Sequence, residues 1–177
     1  MDFRAVYESH FARIWRTLRR LGIPEKDALD ATQEVFVIAY RRQADFRGDS
    51  SMSTWLVGIA YRVAANRRSR ASESREVLGM ETAPVTAAPD TDPETWLAAR
   101  DELRALEAVL ETLPLEQRAV FTMFEMEGLT GEEIAAALGI PIGTVRSRLR
   151  LGRSRFTASA SRLLARERPS SASGGRS

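Results

Sequence analysis

Apolar residues recur every three or four positions along most of the chain, and no segment alternates regularly between apolar and polar residues. Because this spacing places apolar side chains on one stripe of a helix, it predicts α-helices. In the first half we expect helices at about residues 2–21, 25–42 and 53–69, the third capped by Ser53. In the second half we expect helices at about 94–113 and 115–126, and two more after Thr130. The pattern predicts an all-α fold.

Shifts in composition divide this helical pattern into four segments. Residues 72–93 combine three prolines with threonines and small residues, which is typical of a flexible linker. Residues 167–177 are rich in serine and glycine, which predicts a disordered tail. We therefore expect two small helical domains, residues 1–71 and 94–166, joined by the linker.

The sequence after Thr130 predicts a helix-turn-helix. Thr130 followed by Glu133 is a capping box, which begins a short helix ending near Leu138. Gly139 fits the turn, and Pro141 precedes the second helix. The apolar stripe of that second helix has a spacing of four, three and four: Val145, Leu149, Gly152 and Phe156.

Arginines surround the apolar stripe of the second helix. Arg146 and Arg153 flank it on one side, and Arg148 and Arg155 flank it on the other. Thr144, Ser147, Arg150, Leu151 and Ser154 point away from it. Such a helix can pack by its stripe, hold phosphates on its flanks and offer its outer face to base edges. The alternative is a solvated basic helix.

The charge balance points to a polyanionic partner, although the net charge is only +2. Six arginines and no acid lie between Gly143 and Ala165, and four arginines and no acid lie between Ala60 and Ala71. Two basic patches indicate one polyanion contacted at two places. The absence of cysteine excludes disulfides and thiolate metal sites. The charged N-terminus and the lack of an apolar run of about 20 residues predict a cytoplasmic protein without membrane insertion.

Two features of the first half have ordinary explanations as well as functional ones. On the second helix an arc carries Asp27, Asp30, Gln33, Glu34 and Arg41, and by spacing alone it is a solvated face. Residues 46–55 form a polar loop that leads into a tryptophan-bearing helix. Such a loop beside aromatic residues can capture an unstacked base, although most are helix connections.

Two runs of sequence identify a family. DALDATQEVFVIAYRRQADFRGDSSMSTWLVGIAYRVAANRRSR resembles region 2 of bacterial extracytoplasmic-function sigma factors of the sigma-70 family, and LPLEQRAVFTMFEMEGLTGEEIAAALGIPIGTVRSRLRLGRSRF resembles their region 4. A helix-turn-helix alone is shared by many regulators, but the two regions in this order are specific. The resemblance implies a factor that binds core RNA polymerase and directs promoter-specific initiation.

The resemblance also implies roles for individual residues. The D-x-x-QE pattern that docks on the clamp helices of the β′ subunit of polymerase matches Asp30, Gln33 and Glu34. The residues matching those that bind the melted minus-ten strand are Phe46, Arg47, Gly48, Asp49, Ser50, Ser51, Arg62, Asn66, Arg67 and Arg68. Those matching the minus-thirty-five reader are Thr144, Arg146, Ser147, Arg148 and Arg150. Leu151 and Gly152 depart from the family pattern, so contacts are assigned no further than Arg150.

The expected partners are core polymerase, through its clamp helices and flap region, promoter DNA and an anti-sigma factor. No cofactor or metal is expected. One alternative is a conventional helix-turn-helix regulator that does not join polymerase. Another is an enzyme, but the single histidine, His10, lies on an amphipathic helix, and the sequence contains no glycine-rich phosphate loop or metal-spaced carboxylates.

Overall fold

The computed structural model describes residues 2–78 and 93–167, with side chains described for residues 2–71 and 102–165. These residues contain no strand, which confirms the all-α prediction. The predicted tail and most of the predicted linker lie outside the described residues. The seven α-helices are α1 (Phe3–Arg20), α2 (Glu25–Arg41), α3 (Met52–Leu78), α4 (Pro93–Glu111), α5 (Leu115–Phe121), α6 (Gly131–Leu138) and α7 (Ile142–Glu167).

Helices α1, α2 and α3 pack against one another in the first half. The Asp2 carboxylate caps α1 by accepting from the backbone N–H of Arg4 at 3.0 Å. The chain then turns at Gly22, whose φ of +91° favours glycine. Helix α2 begins after Pro24, and its first turn carries two acids, which suit the positive end of the helix dipole. The apolar side chains facing the centre of this half include Ile14, Leu18, Val35, Phe36, Leu56 and Val63.

Helix α3 differs from its prediction at both ends. Ser51, not Ser53, caps it: the Ser51 hydroxyl accepts from the backbone N–H of Thr54 at 3.0 Å. The Ser53 hydroxyl is buried without a hydrogen-bond partner. At the other end the helix continues to Leu78, into the segment predicted to be linker from residue 72. The residues after Arg70 include alanine, glutamate and leucine, which favour helix, so α3 continues past the basic segment.

The second half contains the predicted helix-turn-helix. Thr130 and Glu133 form the capping box, and Gly139 adopts the left-handed conformation with φ of +67°. Val145, Leu149 and Gly152 are buried, so the predicted stripe of α7 is its packing face. The predicted helix at 115–126 is divided in the structure. Its first part is α5, which continues directly into a π-helical turn, Thr122–Met126.

The two halves pack on each other. One apolar cluster joins Leu56 and Ala60 of α3 to Met123, Ile134 and Val145 of the second half. A smaller cluster holds α4, α5 and α7 together through Leu110, Leu113 and Phe121. The sequence alone did not indicate how the halves are placed, because periodicity locates stripes and does not say which stripes meet.

Candidate nucleic-acid interface

Helix α7 presents a polar outer face opposite its buried stripe. Arg146, Ser147 and Arg150 are exposed, and Thr144 is half-buried. The Ser147 hydroxyl donates to the Thr144 carbonyl at 3.0 Å, which leaves its lone pairs towards solvent. Since α6 and the Gly139 turn fix the start of α7, this face is held on a rigid element. It has the geometry of a helix that can enter a DNA groove.

Two of the arginines on the flanks of α7, Arg153 and Arg155, have partners within the protein. Arg153 donates to the Glu125 carboxylate at 2.6 Å and lies 5.1 Å from the centre of the Phe124 ring. Arg155 donates to the Gln117 side chain at 2.9 Å. Arg148 is half-buried, and its charge acts on Tyr61 of α3. Burial is the main cause of the raised pKa of Tyr61, and the positive charge of Arg148 opposes it.

The polar loop between α2 and α3 is held at both ends. The Phe46 ring packs on Trp55 with centroids 5.3 Å apart, and Ser51 caps α3. Arg47, Gly48 and Asp49 are exposed, and Gly48 has a φ of +79°. Together with the half-buried Ser50 they form a short finger, residues 47–50, beside an aromatic pair. This arrangement offers a ring surface and small polar groups to a base outside a stack.

Two of the four predicted DNA-binding residues on α3 are engaged within the protein. Arg62 donates to the Ala137 carbonyl of α6 at 3.2 Å. Arg67 forms an ion pair with Glu34, whose carboxylate oxygen lies 2.8 Å from NH2. Asn66 and Arg68 are exposed. The basic helix therefore faces both solvent and the second half.

The acidic arc on α2 is accessible. Asp30 and Gln33 are exposed, whereas Glu34 is half-buried by its pairing with Arg67. Leu29 and Val37 lie one turn to either side of Gln33, with exposed fractions of 51% and 48%. An acidic and amide-bearing stripe with apolar neighbours is suited to docking on another helix.

One polar cluster between the halves was not predicted from the sequence. The Glu127 carboxylate accepts from Arg13 Nε at 2.7 Å, Thr17 Oγ1 at 2.7 Å and Arg20 NH1 at 3.2 Å. Its side chain is only 3% exposed. All three donors lie more than a hundred residues away on α1, so no local pattern marks Glu127.

The packing of the halves does have one signal in the sequence. Gly58 is a glycine within a helical pattern, which indicates close approach by another element, and it lies against Ala137.

Within the described residues no cluster of three or more His, Cys, Asp or Glu residues has the arrangement of a metal site. No helix in the described part of the chain is long and apolar enough to span a membrane.

Comparison with known sequences gives matches over both halves. The pattern described as sigma-70 region 2 matches residues 6–74, and that described as sigma-70, region 4, matches residues 103–156. The chain is 36% identical over 134 residues to the ECF RNA polymerase sigma-E factor of Escherichia coli K12, covering 72% of this chain and 70% of that protein. It is 36% identical over 131 residues to the RNA polymerase sigma-H factor of Pseudomonas aeruginosa, covering 70% and 68%.

Comparison with solved structures gives similar folds over most of the chain. The sigma factor RpoE from Bartonella quintana, solved in complex with the anti-sigma factor NepR, superposes with a TM-score of 0.70 at 21% identity, covering 90% of this chain and 97% of that one. CnrH, solved in complex with the cytosolic domain of CnrY, superposes with a TM-score of 0.64 at 25% identity, covering 93% and 88%.

Proposed function

The chain belongs to the extracytoplasmic-function sigma factors of the sigma-70 family, and from this premise we propose that its two halves contact different promoter elements while α2 docks on polymerase. Its role is in transcription initiation. The observation that carries the finer proposal is the outer face of α7: a polar, arginine-bearing surface on a rigid helix, in the same chain as an exposed acidic face on α2.

In this proposal α7 reads the minus-thirty-five element as closed duplex. Arg146, Ser147 and Arg150 are exposed on one face, and a helix of this kind fits the major groove. Thr144 lies at the start of the helix, where its N-terminal residues would meet base edges. Arg148, on the flank of the same helix, contacts a phosphate.

The loop of residues 46–51 captures a base of the melted minus-ten strand. An extruded base interacts with the loop only when the strand is open, so binding shifts the equilibrium towards opening. Unstacking costs a few kcal/mol, and stacking in a pocket returns about 1–3 kcal/mol per base. Because these terms nearly cancel, the free protein binds promoter weakly and polymerase supplies the remaining free energy.

Asp30, Gln33 and Glu34 dock on the clamp helices of the β′ subunit, and the second half meets the flap region. The exposed Leu29 and Val37 add apolar area to that surface. The RpoE structure contains the anti-sigma factor NepR as a bound chain, and the CnrH structure contains the cytosolic domain of CnrY. We propose that an anti-sigma factor binds this chain and covers these surfaces.

Run-off transcription separates this proposal from a conventional helix-turn-helix regulator. Purified core polymerase is mixed with the chain and genomic promoter fragments, and the transcripts are sequenced at their 5′ ends. A sigma factor gives promoter-specific starts as the only added factor. A regulator that does not join polymerase gives none, and that result would overturn the proposal.

Charge reversal at Asp30 tests the docking surface. Asp30→Lys places a repelling charge in an exposed acidic arc, so we expect core affinity to fall by about tenfold or more. Glu8→Lys on the exposed face of α1 is the matched control, because the ion pair of Glu8 with Arg4 is solvent-exposed and contributes little. Core binding is measured by fluorescence anisotropy of the labelled chain. Equal affinities for the two variants would contradict the assignment.

Arg150→Ala tests the reading face of α7. Loss of one arginine contact to a base or phosphate costs about 1–3 kcal/mol, with relaxed specificity at one promoter position if the contact is to a base. Arg155→Ala is the control on the same helix, because Arg155 donates to Gln117 and lies on the flank. Transcription from promoters randomised in the minus-thirty-five element gives the readout. Identical preferences in wild type and Arg150→Ala would remove Arg150 from the base-reading set.

A further inference from the structure

Helix α7 exposes one leucine within the face that the proposed function turns towards DNA. Leu151 has 38% of its surface exposed, whereas the other aliphatic side chains over the first turns of α7 are buried or half-buried. The helical period places Leu151 on the same face as Ser147, one turn before it, and Ser154, one turn after it. Because isolated exposed leucines are ordinary on protein surfaces, the surroundings of Leu151 decide whether it has a role.

The residues that share this face with Leu151 are small. Gly143, Ser147, Ser154 and Ala158 are all exposed, and nothing lies within 4 Å of the place where a Cβ on Gly143 would stand. Since serine and alanine side chains are short, the methyl groups of Leu151 stand above these neighbours. A surface that approaches this face therefore meets the leucine first.

The two arginines that follow on α7 are held against the second half. Arg153 donates to the Glu125 carboxylate at 2.6 Å and packs on the Phe124 ring. Arg155 donates to the Gln117 side chain at 2.9 Å. These partners lie on α5 and the π-helical turn, on the packing side of α7. The distal part of the outer face therefore offers an apolar group and hydroxyls to DNA, and not guanidinium groups.

An apolar side chain on a groove-reading face has one matching group among the base edges. In the major groove that group is the C5-methyl of thymine, whereas guanine, cytosine and adenine present donors and acceptors. A leucine placed over such a polar edge removes its water without supplying a hydrogen bond, which is unfavourable. A phosphate likewise gains nothing from leucine. Leu151 can thus select thymine both by contact and by excluding the other bases.

The position of Leu151 on α7 places this thymine close to the bases that the rest of the face would read. Leu151 lies one helical turn beyond Ser147, a distance of about 5.4 Å along the axis. One base pair advances about 3.4 Å along the duplex. The base under Leu151 is therefore one or two base pairs from the base under Ser147.

We propose that Leu151 is a specificity-determining residue, which contacts the C5-methyl of a thymine in the minus-thirty-five element. It extends the reading face beyond Arg150 by an apolar contact, where the two following arginines are engaged elsewhere. The inference rests on the proposed function, because it requires that α7 read duplex DNA.

Removal of a single methyl group from DNA provides the first test. Promoters are selected by run-off transcription with core polymerase and the wild-type chain, from a pool randomised in the minus-thirty-five element. Each thymine of the selected element is then replaced singly by uracil, which lacks only the C5-methyl. At one thymine we expect the transcript yield to fall about fourfold, the effect of one methyl group leaving an apolar contact. Leu151→Ala should show no difference between thymine and uracil there.

Leu164→Ala is the matched control for the methyl test. Leu164 is also an exposed leucine of α7, with 63% of its surface exposed, and it lies about 20 Å further along the helix. It should discriminate between thymine and uracil as wild type does. Equal yields from thymine and uracil at every position with wild type would overturn the proposal. So would a preference for thymine that persists in Leu151→Ala.

A change of specificity provides the second test. Leu151→Arg replaces an exposed side chain, and arginine pairs with guanine in the major groove. Selection from the same randomised pool should lose thymine at the position found by the methyl test, and guanine should be enriched there about fivefold or more. Loss of the thymine preference supports the proposal, and its retention in Leu151→Arg would contradict it.

The same measurements distinguish this inference from its alternatives. If Leu151→Ala lowers affinity for core polymerase and leaves base preference unchanged, the leucine contacts a protein and the proposal is wrong. If Arg150→Ala changes base preference and Leu151→Ala does not, the proposed function stands and this inference fails. If wild type gives no promoter-specific transcript, the proposed function is refuted and this inference with it.

Discussion

At the scale of single residues, local roles were predictable and distant ones were not. Thr130, Glu133 and Gly139 have the roles that their positions in the sequence predict, because a cap or a turn depends on neighbours within four residues. The environment of Glu127 is made by residues on α1, and that of Arg118 includes Gly22.

Ser53 was predicted to cap α3, and this prediction is wrong. The cap is Ser51, two residues earlier, at the observed start of the helix. The roles assigned to the DNA-contacting residues stay predictions.

Arg118→Met should stabilise the chain. Burial, and to a lesser extent the positive charge of Arg68, lowers the pKa of Arg118 to about 10. Methionine fills a similar volume without leaving unpartnered nitrogens, so we expect a gain on the order of 1 kcal/mol in the free energy of unfolding. Urea denaturation measures it, with the exposed Arg146→Met as control. A loss of stability in Arg118→Met larger than in the control would show that the guanidinium is satisfied in solution.

At the scale of elements, the type and approximate place of every predicted helix were found, but not the ends or the irregularities. Periodicity identified α7 because its apolar stripe is unbroken over three turns. It did not reveal the π-helical turn after α5, because a single inserted residue shifts the stripe without removing it. It also ended α3 too early, since the residues after Arg70 carry no apolar stripe although they favour helix.

Thr130→Ala should destabilise α6 through loss of its cap. The hydroxyl accepts from the Glu133 backbone N–H, and the loss of such a cap costs about 1 kcal/mol. Thr130→Ser keeps the hydroxyl and is the matched control. Thermal unfolding followed by circular dichroism gives the comparison, and equal midpoints for the two variants would contradict a stabilising cap.

The same capping box predicts a pH dependence. Hydrogen bonds from the backbone and side chain of Thr130 lower the pKa of the Glu133 carboxyl below its ordinary value. Its contribution to stability is therefore present above the pKa of the unfolded chain and is lost as the pH falls through the lower pKa of the folded chain. Glu133→Gln should flatten the decline in unfolding midpoint over about pH 3 to 6. A decline as steep as that of wild type would assign the acid sensitivity to other carboxylates.

At the scale of the whole molecule, the sequence indicated two helical halves and left their relation open. The structure joins them through one apolar cluster and through ion pairs that connect α1 to the second half. Contacts of this kind bring together residues far apart in the chain, so they cannot be predicted from composition and spacing. Gly58 is the exception, since a glycine within a helical pattern indicates close approach by another element.

Glu127→Ala should weaken the cooperation between the halves. It removes the acceptor for three hydrogen bonds from α1, two of them from arginines that are partly exposed, so we expect a loss of about 1–3 kcal/mol. Glu125→Ala is the control, because its partner Arg153 lies in the same half. Calorimetry should show the transition broadening or dividing in two for Glu127→Ala alone. A single sharp transition at the wild-type midpoint would show that the halves are coupled without it.

The anchoring of the exposed finger has an evolutionary consequence. Phe46 is held by Trp55 and Ser51 by its bond to α3, and three of the four residues between them, Arg47, Gly48 and Asp49, are exposed. Mutations at the exposed Arg47 and Asp49 escape the selection for stability that restricts the core, whereas the left-handed backbone of Gly48 favours glycine. The finger can diversify from one paralogue to the next while the scaffold is inherited unchanged, and graft exchange of residues 47–50 between relatives should produce folded hybrids with altered base preference.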